Sequence, residues 1–217
     1  MTTLKGLRCS TSQVARKRLA SLHFSLRRFG YEVLVCRPGH SEGRGARLVG
    51  APRLQGVEFN LIPVQHWSVR SLDDRRQTLW GAYAVFASDL HWYLAGDTGY
   101  STDFTDTGAR LADRYTLARG GGFDIALIPI GAYQPHWFLA EQHMDPTQAV
   151  LIHRDLGTKR SAGIHWGTFE RSDESLDQPP KDLAIAARAQ GLTTDAFTVI
   201  AIGETRRLPK RATPRPP

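Results

Sequence analysis

Residues 94–100, Leu-Ala-Gly-Asp-Thr-Gly-Tyr, form an apolar run that ends in a carboxylate held between two glycines. The apolar residues that begin at Trp92 predict a strand that stops at this point. Gly96 and Gly99 suit a tight turn in which the backbone can approach a neighbouring group closely. The pattern therefore predicts that Asp97 lies at a sheet edge, where its carboxylate can bind a hard or borderline cation such as Zn²⁺.

Two histidines occupy corresponding positions at the ends of other strand-like runs. His66 follows the run 57–64, which Pro63 closes, and His165 ends the run 161–165. The ends of neighbouring strands lie side by side, so these residues can converge with Asp97 at one edge of the sheet. Imidazole nitrogen and carboxylate oxygen are common zinc ligands in hydrolytic sites. The sequence thus favours a metal site built from His66, Asp97 and His165.

The charge of the chain is distributed unevenly over its 217 residues. Residues 1–50 form an atypical basic segment with 10 basic and 2 acidic residues, and residues 206–217 carry 5 basic residues and no acid. Residues 51–205 hold 13 basic and 19 acidic residues and read as the folded domain. The net charge of +7 therefore describes the ends, and no specific nucleic-acid binding is expected of the central domain.

The two ends differ in the structure that they predict. Residues 14–29 place apolar side chains at roughly helical spacing among arginines, which is typical of a helix lying on an anionic membrane or of a segment with no specific role. The proline-rich tail from Arg206 predicts disorder. Cys9 and Cys36 form no disulfide framework, and the chain shows neither a secretory signal nor a membrane-spanning apolar run, so a cytoplasmic location is expected.

The central part alternates strand and helix patterns. Residues 79–86 and 90–95 predict a hairpin, and Phe123–Ile130 predicts a nearly continuous apolar strand that carries one charge, Asp124. A helix is predicted to begin at Asp145-Pro146 and another to cover Lys181–Gln190. Further predictions are a half-buried strand over 57–62, in which Val57, Phe59 and Leu61 alternate with Glu58 and Asn60, a short helix near 109–117, and strands over 161–166 and 197–202. Hairpin, strand, helix, strand, helix and strand in this order indicate an α+β fold.

Five motifs in the central part identify a family that the chain resembles. They are 63–68 (Pro-Val-Gln-His-Trp-Ser), 95–100 (Ala-Gly-Asp-Thr-Gly-Tyr), 128–133 (Ile-Pro-Ile-Gly-Ala-Tyr), 142–146 (Gln-His-Met-Asp-Pro) and 164–169 (Ile-His-Trp-Gly-Thr-Phe). Their order and spacing resemble the metallo-β-lactamase superfamily, in particular its N-acyl-phosphatidylethanolamine-hydrolysing phospholipase D branch.

The resemblance implies a fold and a set of site residues. The implied fold is an αββα sandwich with two zinc ions at one edge of its sheets. By position, His66 would bind one zinc, Asp97 would bridge both and be the catalytic residue, and His165 would bind the other. His143 and Tyr133 would contact the substrate. The implied reaction is zinc-dependent hydrolysis of a phospholipid phosphodiester.

One motif of the family is missing from the sequence. The superfamily carries His-x-His-x-Asp-His in an earlier loop, whereas the histidines near the start, His23 and His40, are isolated. We expect the domain to be incomplete at its N-terminus and occupancy by two zinc ions to be in question. This leaves two alternatives to an active hydrolase: a catalytically inactive scaffold that binds lipid or a partner, and a nucleic-acid-binding protein or metallo-nuclease. The sequence does not determine the oligomeric state.

Overall fold

The computed structural model describes residues 53–69, 73, 75, 76, 80–111 and 122–211. The predicted basic segment 1–50 lies outside the described residues, and so does the end of the predicted tail, 212–217. No helix within the described ranges is both long enough and apolar enough to cross a membrane.

Strands and helices alternate along the second half of the described chain. The strands are β1 (Arg53–Leu54), β2 (Val57–Ile62), β3 (Ala82–Phe86), β4 (His91–Leu94), β5 (Ile125–Pro129), β6 (Ser161–Ile164) and β7 (Phe197–Val199). The helices are α1 (Asp103–Arg110), α2 (His136–Leu139), α3 (Pro146–Asp155) and α4 (Gln178–Ala189). The predicted α+β class is confirmed.

All seven strands form one sheet in the order of the sequence. The pairings from β1 to β4 are antiparallel. The pairings from β4 to β7 are parallel. This arrangement confirms the predicted hairpin followed by alternating strands and helices. The described residues make one sheet, and the second sheet of an αββα sandwich stays a prediction.

Helices α1, α3 and α4 share one apolar core with this sheet, through residues such as Phe104, Ile152 and Leu183. The strand register brings Ala84, Tyr93 and Ala126 into one row across the sheet. Tyr93 is fully buried, and its ring lies 6.5 Å from that of Phe104 in α1. Small residues beside one large aromatic ring let the helices approach the sheet closely, which gives a continuous apolar core.

The predicted half-buried strand β2 is confirmed, and its more deeply buried face is the one that carries polar residues. Glu58 and Asn60 are 4% and 5% exposed, whereas Val57, Phe59 and Leu61 are only half-buried. The buried polar groups are paired: Asn60 Nδ2 donates to Glu58 Oε1 at 3.2 Å, and Glu58 also binds the Arg53 guanidinium at 3.2 Å. Alternation gives the period of a strand but not which face is covered, and here pairing removes the cost of burying the polar face.

The start of α3 follows its sequence signal. Gln148 N donates to the Asp145 carboxylate at 2.8 Å, and the Gln148 side chain accepts from Asp145 N at 3.1 Å. Pro146 takes the first helical position, where no hydrogen-bond donor is needed. This reciprocal capping box satisfies the backbone N–H groups of both Gln148 and Asp145, and it confirms the predicted helix start.

Other boundaries differ from the predictions. A helix covers Asp103–Arg110, where Asp103 and Asp106 place negative charge in the first turn. Most of the helix predicted near 109–117 lies outside the described residues, which end at Leu111 and resume at Gly122. Helix α4 begins at Gln178, before the expected Lys181, because Pro179 and Pro180 are compatible with the first turn of a helix. Strand β2 covers 57–62 as predicted, whereas β4, β5, β6 and β7 are each shorter than the predicted strands.

Part of the predicted disordered tail is held against the sheet. Arg211 Nε donates to Asp124 Oδ2 at 2.5 Å, and Arg211 N donates to Asp89 O at 2.9 Å. Both side chains of the Arg211–Asp124 pair are less than a tenth exposed. Asp124 also accepts from Lys159 Nζ at 3.0 Å and from His91 N at 2.8 Å. The single charge in the apolar strand pattern is therefore a buried anchor that joins four parts of the chain.

The Asp124 anchor predicts a pH-dependent stability. Burial raises the pKa of Asp124, but hydrogen bonds from Arg211, His91 N and Lys159 outweigh it and hold the pKa below the usual value. A depressed pKa stabilises the fold above the unfolded-state pKa of about 3.9, and this stabilisation is lost as the pH falls below it. Asp124→Asn should lower the free energy of unfolding by about 3–5 kcal/mol at pH 7 and reduce its dependence on pH below about 4.

Urea unfolding at several pH values measures this effect. Asp106→Asn, at an exposed position of α1, serves as the matched control and should stay near the wild type. An Asp124→Asn variant as stable as the Asp106→Asn control at pH 7 would contradict the anchor.

Candidate functional site

Four chain segments meet at the edge of the sheet where the parallel strands end. Asp97 follows β4, His165 follows β6, His66 follows β2, and His143 precedes α3. The ladder continues past the strand ends: Ala95 N donates to Leu127 O at 3.0 Å and Ile130 N to Ile164 O at 3.0 Å. Parallel pairing thus delivers these segments to one edge, as the sequence predicts.

The turn around Asp97 is fixed by close backbone contacts. Gly96 has a φ of +68°, a left-handed conformation that glycine adopts readily. A side chain at Gly99 would lie 2.5 Å from Ala140 O, so the backbone approach requires glycine there. Thr98 is fully buried, whereas the Asp97 side chain is 51% exposed. The turn therefore holds a solvent-accessible carboxylate on a rigid base.

The carboxylate and the imidazoles form a contiguous group. His165 Nε2 lies 3.6 Å from Asp97 Oδ1. The His143 ring stacks on that of His165 at a centroid distance of 5.2 Å and meets the His66 ring edge-on at 5.5 Å. The structure thus brings together His66, Asp97, His143 and His165, four of the five predicted site residues.

His66 is oriented by a backbone contact. Its Nδ1 lies 2.6 Å from Trp67 O, and a carbonyl oxygen can only accept a hydrogen bond. Nδ1 must then carry the proton, so the neutral ring has its free lone pair on Nε2. A carbonyl partner of this kind typically orients histidines that bind metals.

His143 is held in an unusual electrostatic environment. Burial, followed by the neighbouring His165 and His66, lowers the pKa of His143 to about 4. Its Nδ1 is buried and has no hydrogen-bond partner among the described residues. At neutral pH this ring is uncharged and offers one donor and one acceptor. An unpaired buried nitrogen beside an exposed carboxylate suits a group that binds a polar ligand.

The donor atoms suit zinc in kind but not in number. Imidazole nitrogens and a carboxylate are the ligands that zinc prefers in hydrolytic sites. Within the described ranges, however, no group of three or more His, Cys, Asp or Glu residues is arranged to hold a metal ion. The Asp97–His165 contact is the nearest approach to such a group, and it supplies two donors. The metal roles of His66, Asp97 and His165 therefore stay predictions.

Tyr133, the fifth predicted residue, is not part of these ring and carboxylate contacts. It is 4% exposed, and its hydroxyl donates to Asp182 Oδ2 of α4 at 2.5 Å. Burial, followed by the hydrogen bond to Asp182, raises the pKa of Tyr133, which keeps the hydroxyl protonated. This packing does not favour the predicted contact with substrate, because the hydroxyl is already used within the protein.

A cavity of about 380 Å³ opens beside His165. Its lining includes Ala132, Trp166, Phe169, Arg171, Glu174 and Leu176. Most of these residues belong to the polar loop that follows β6, which has no hydrophobic period and no metal-ligand spacing. Glu174, whose carboxylate receives hydrogen bonds from the 131–134 loop, gave no signal in the sequence for this reason.

His165 itself has a strained backbone. Its φ is +58°, in a region that side chains with a Cβ rarely adopt. Ala132, in the facing loop, has a φ of +66°. Such conformations are retained where the surrounding structure over-determines them, and they are common at functional sites.

Comparison with known proteins places this site in a wider group. The chain is 34% identical over 146 residues to N-acyl-phosphatidylethanolamine-hydrolyzing phospholipase D 1 of Caenorhabditis elegans, a match that covers 66% of this chain and 38% of that protein. It is 35% identical over 134 residues to the mitochondrial N-acyl-phosphatidylethanolamine-hydrolyzing phospholipase D of Saccharomyces cerevisiae, which covers 61% of this chain and 27% of the relative. The matched part thus spans between about a quarter and two fifths of these relatives.

A solved structure shares the fold. The isothiocyanate hydrolase from Delia radicum gut bacteria superposes with a TM-score of 0.53 at 15% identity, over 88% of this chain and 64% of that one. At this identity the likeness concerns the fold alone.

A sequence profile gives the assignment. The profile described as "Beta-lactamase superfamily domain" matches residues 39–166, which include His66, Asp97, His143 and His165. The match covers more than half of the chain and contains four of the five motifs in full. The chain therefore belongs to the family of proteins that contain the β-lactamase superfamily domain.

Proposed function

We propose that the chain carries part of the site of a metal-dependent hydrolase that cleaves a phosphodiester bond in a phospholipid of the N-acyl-phosphatidylethanolamine type. The observation that supports this most is the 3.6 Å contact between Asp97 and His165 at the sheet edge, next to His66 and His143. The two phospholipase D relatives, which match this part of the chain at 34% and 35% identity, support the substrate class.

The donor residues have separate roles in this proposal. His66, Asp97 and His165 would hold zinc, and the half-exposed Asp97 carboxylate is accessible to it. Bound zinc would supply Lewis acidity that polarises a phosphoryl oxygen and lowers the pKa of water. The buried turn residues around Asp97 keep the carboxylate in place while its oxygens stay open to solvent.

His143 would bind the phosphate group of the substrate. A phosphodiester carries negative charge on its oxygens, and a neutral imidazole can donate a hydrogen bond to one of them. A neutral imidazole carries one N–H, so the ring retains a donor throughout the neutral range.

A lipid-binding scaffold without catalysis is a second candidate. It is favoured by one observation, namely that the described residues do not form a group of three metal donors. Both candidates predict contact with phospholipid, which is compatible with a cytoplasmic protein that binds a membrane peripherally. The zinc content of the purified chain separates them.

Substitution of the proposed metal donors tests their role. Asp97→Asn and His165→Gln should each lower zinc content and reduce hydrolysis by about 100-fold or more, because each removes a ligand that contributes several kcal/mol. Elemental analysis measures zinc, and mass spectrometry measures N-acylethanolamine released from phospholipid vesicles. Asp106→Asn, at an exposed position of α1, is the matched control.

The outcomes discriminate between the candidates. Zinc and product in the wild type, with both lost in the two variants, support the hydrolase. Vesicle binding without zinc or product in the wild type would instead establish the scaffold. Equal activity of Asp97→Asn and Asp106→Asn would refute the role of Asp97.

Substitutions at His143 and Tyr133 should have different effects. His143→Gln should raise KM, because it removes the proposed phosphate contact. Tyr133→Phe should leave KM near the wild-type value and lower the free energy of unfolding by about 1–2 kcal/mol, since it removes the hydrogen bond to Asp182. Steady-state kinetics and urea unfolding measure the two quantities. A raised KM in Tyr133→Phe without loss of stability would restore the role predicted from the sequence.

A further inference from the structure

The Glu174 carboxylate is the centre of a backbone-binding arrangement near His165. Its Oε1 accepts from Ala132 N at 2.6 Å and from Tyr133 N at 3.3 Å, and its Oε2 accepts from Gln134 N at 2.9 Å. Ser172 Oγ donates to the same carboxylate at 2.8 Å. One side chain therefore satisfies three consecutive backbone N–H groups of the loop 131–134.

This loop cannot satisfy those groups by regular structure. It follows the end of β5 and precedes α2, and Ala132 has a φ of +66°. The N–H groups of residues in such a conformation point to the same side and form a concave anion-binding surface. Without a partner they would be left unpaired in a half-buried position, which is unfavourable.

The loop lies directly against the backbone of His165. A Cβ at Gly131 would be 2.4 Å from His165 O and 3.3 Å from Trp166 Cα. Only a glycine permits this contact, so the position of the loop sets how close the 165–166 backbone can come to β5. His165 has a φ of +58° at this contact, and its Nε2 faces Asp97 Oδ1.

Glu174 and His165 belong to one continuous segment, the loop that connects β6 to α4. His165 stands at its beginning and Glu174 close to its end, so the hydrogen bonds of Glu174 fold the segment back onto the loop 131–134. Asp173 N adds a further bond to Gln134 O at 3.0 Å. The two loops are thereby held together on both sides of the cavity beside His165.

We propose that Glu174 is a positioning residue that fixes the His165 imidazole relative to Asp97 through the loop 131–134. The inference rests on the proposed function in that His165 is the group being positioned for hydrolysis. Glu174 itself does not touch the substrate or the reacting atoms. Residues that orient metal-binding or reacting groups in this way typically change activity by about 10-fold to 100-fold when they are altered.

The test replaces Glu174 by a side chain of the same shape. Glu174→Gln keeps one acceptor oxygen, but its NH₂ group then faces a backbone N–H. The hydrogen bonds accepted by one of the two carboxylate oxygens are therefore lost. Glu170→Gln, an exposed carboxylate in the same segment, is the matched control. We expect kcat to fall by about 10-fold to 100-fold in Glu174→Gln with KM nearly unchanged, and no change in Glu170→Gln.

A second readout does not depend on catalysis. The ring proton resonances of His165 in the metal-free full chain, assigned with His165→Gln, should shift in Glu174→Gln but not in Glu170→Gln. His153, which is bonded to Ser161 away from the site edge, is the internal reference and should not move. If the wild type hydrolyses no phospholipid, the proposed function fails, and these resonances still decide the role of Glu174.

Two results would overturn the proposal. One is a folded Glu174→Gln protein whose His165 resonances match the wild type. Glu174 would then stabilise the loop 131–134 without positioning His165. The other is an equal shift of His153 and His165, which would indicate a general loss of structure. If Glu174→Gln does not fold, Ser172→Ala replaces it, because it removes one bond to the carboxylate; a His165 shift supports the proposal, and its absence rejects it.

Discussion

Parallel pairing of β4, β5 and β6 is the constraint on which the rest of the structure depends. Parallel strands run in the same direction and end at the same edge of a sheet, so the segments that follow them are neighbours. The 95–97, 130–134 and 164–166 segments meet in this way. The antiparallel strands on one side add His66 to the same edge. The candidate site is therefore a product of strand order, and its side chains need only short local turns to face one another.

The opposite edge of the sheet has a different physical character. There the Asp124 carboxylate collects donors from Arg211, Lys159 and His91, so its charge is compensated within the protein. At the site edge, the Asp97 side chain is half-exposed, and its Oδ1 lies 3.6 Å from His165 Nε2. Two carboxylates at the two ends of neighbouring strands thus serve different purposes. One is saturated with partners and stabilises the fold, and the other is left accessible to a ligand.

The sequence predicts the parts of this structure that depend on local chemistry. The N-cap at Asp145, the order of strands and helices along the chain and the glycine turn around Asp97 follow from residue type and spacing, and the structure agrees with each. The buried face of β2 could not be predicted, because the pairing of Glu58 with Asn60 and Arg53 depends on which face the helices cover. The tail contact of Arg211 and the loop contacts of Glu174 join residues far apart in sequence, and no periodicity encodes them. Tyr133 belongs to a recognisable motif, yet its hydroxyl is directed by Asp182, which no local pattern links to it.

At Gly99 and Gly131, both close to the site, the backbone of a neighbouring segment approaches so closely that no side chain fits. The distances between the site loops are consequently set by main chain against main chain, whatever residues surround them. Substitutions at the cavity-lining positions 168, 169 and 171 can then alter which ligands fit without moving Asp97 or His165. The scaffold thus separates positions where the backbone geometry requires glycine from cavity-lining positions where other side chains fit.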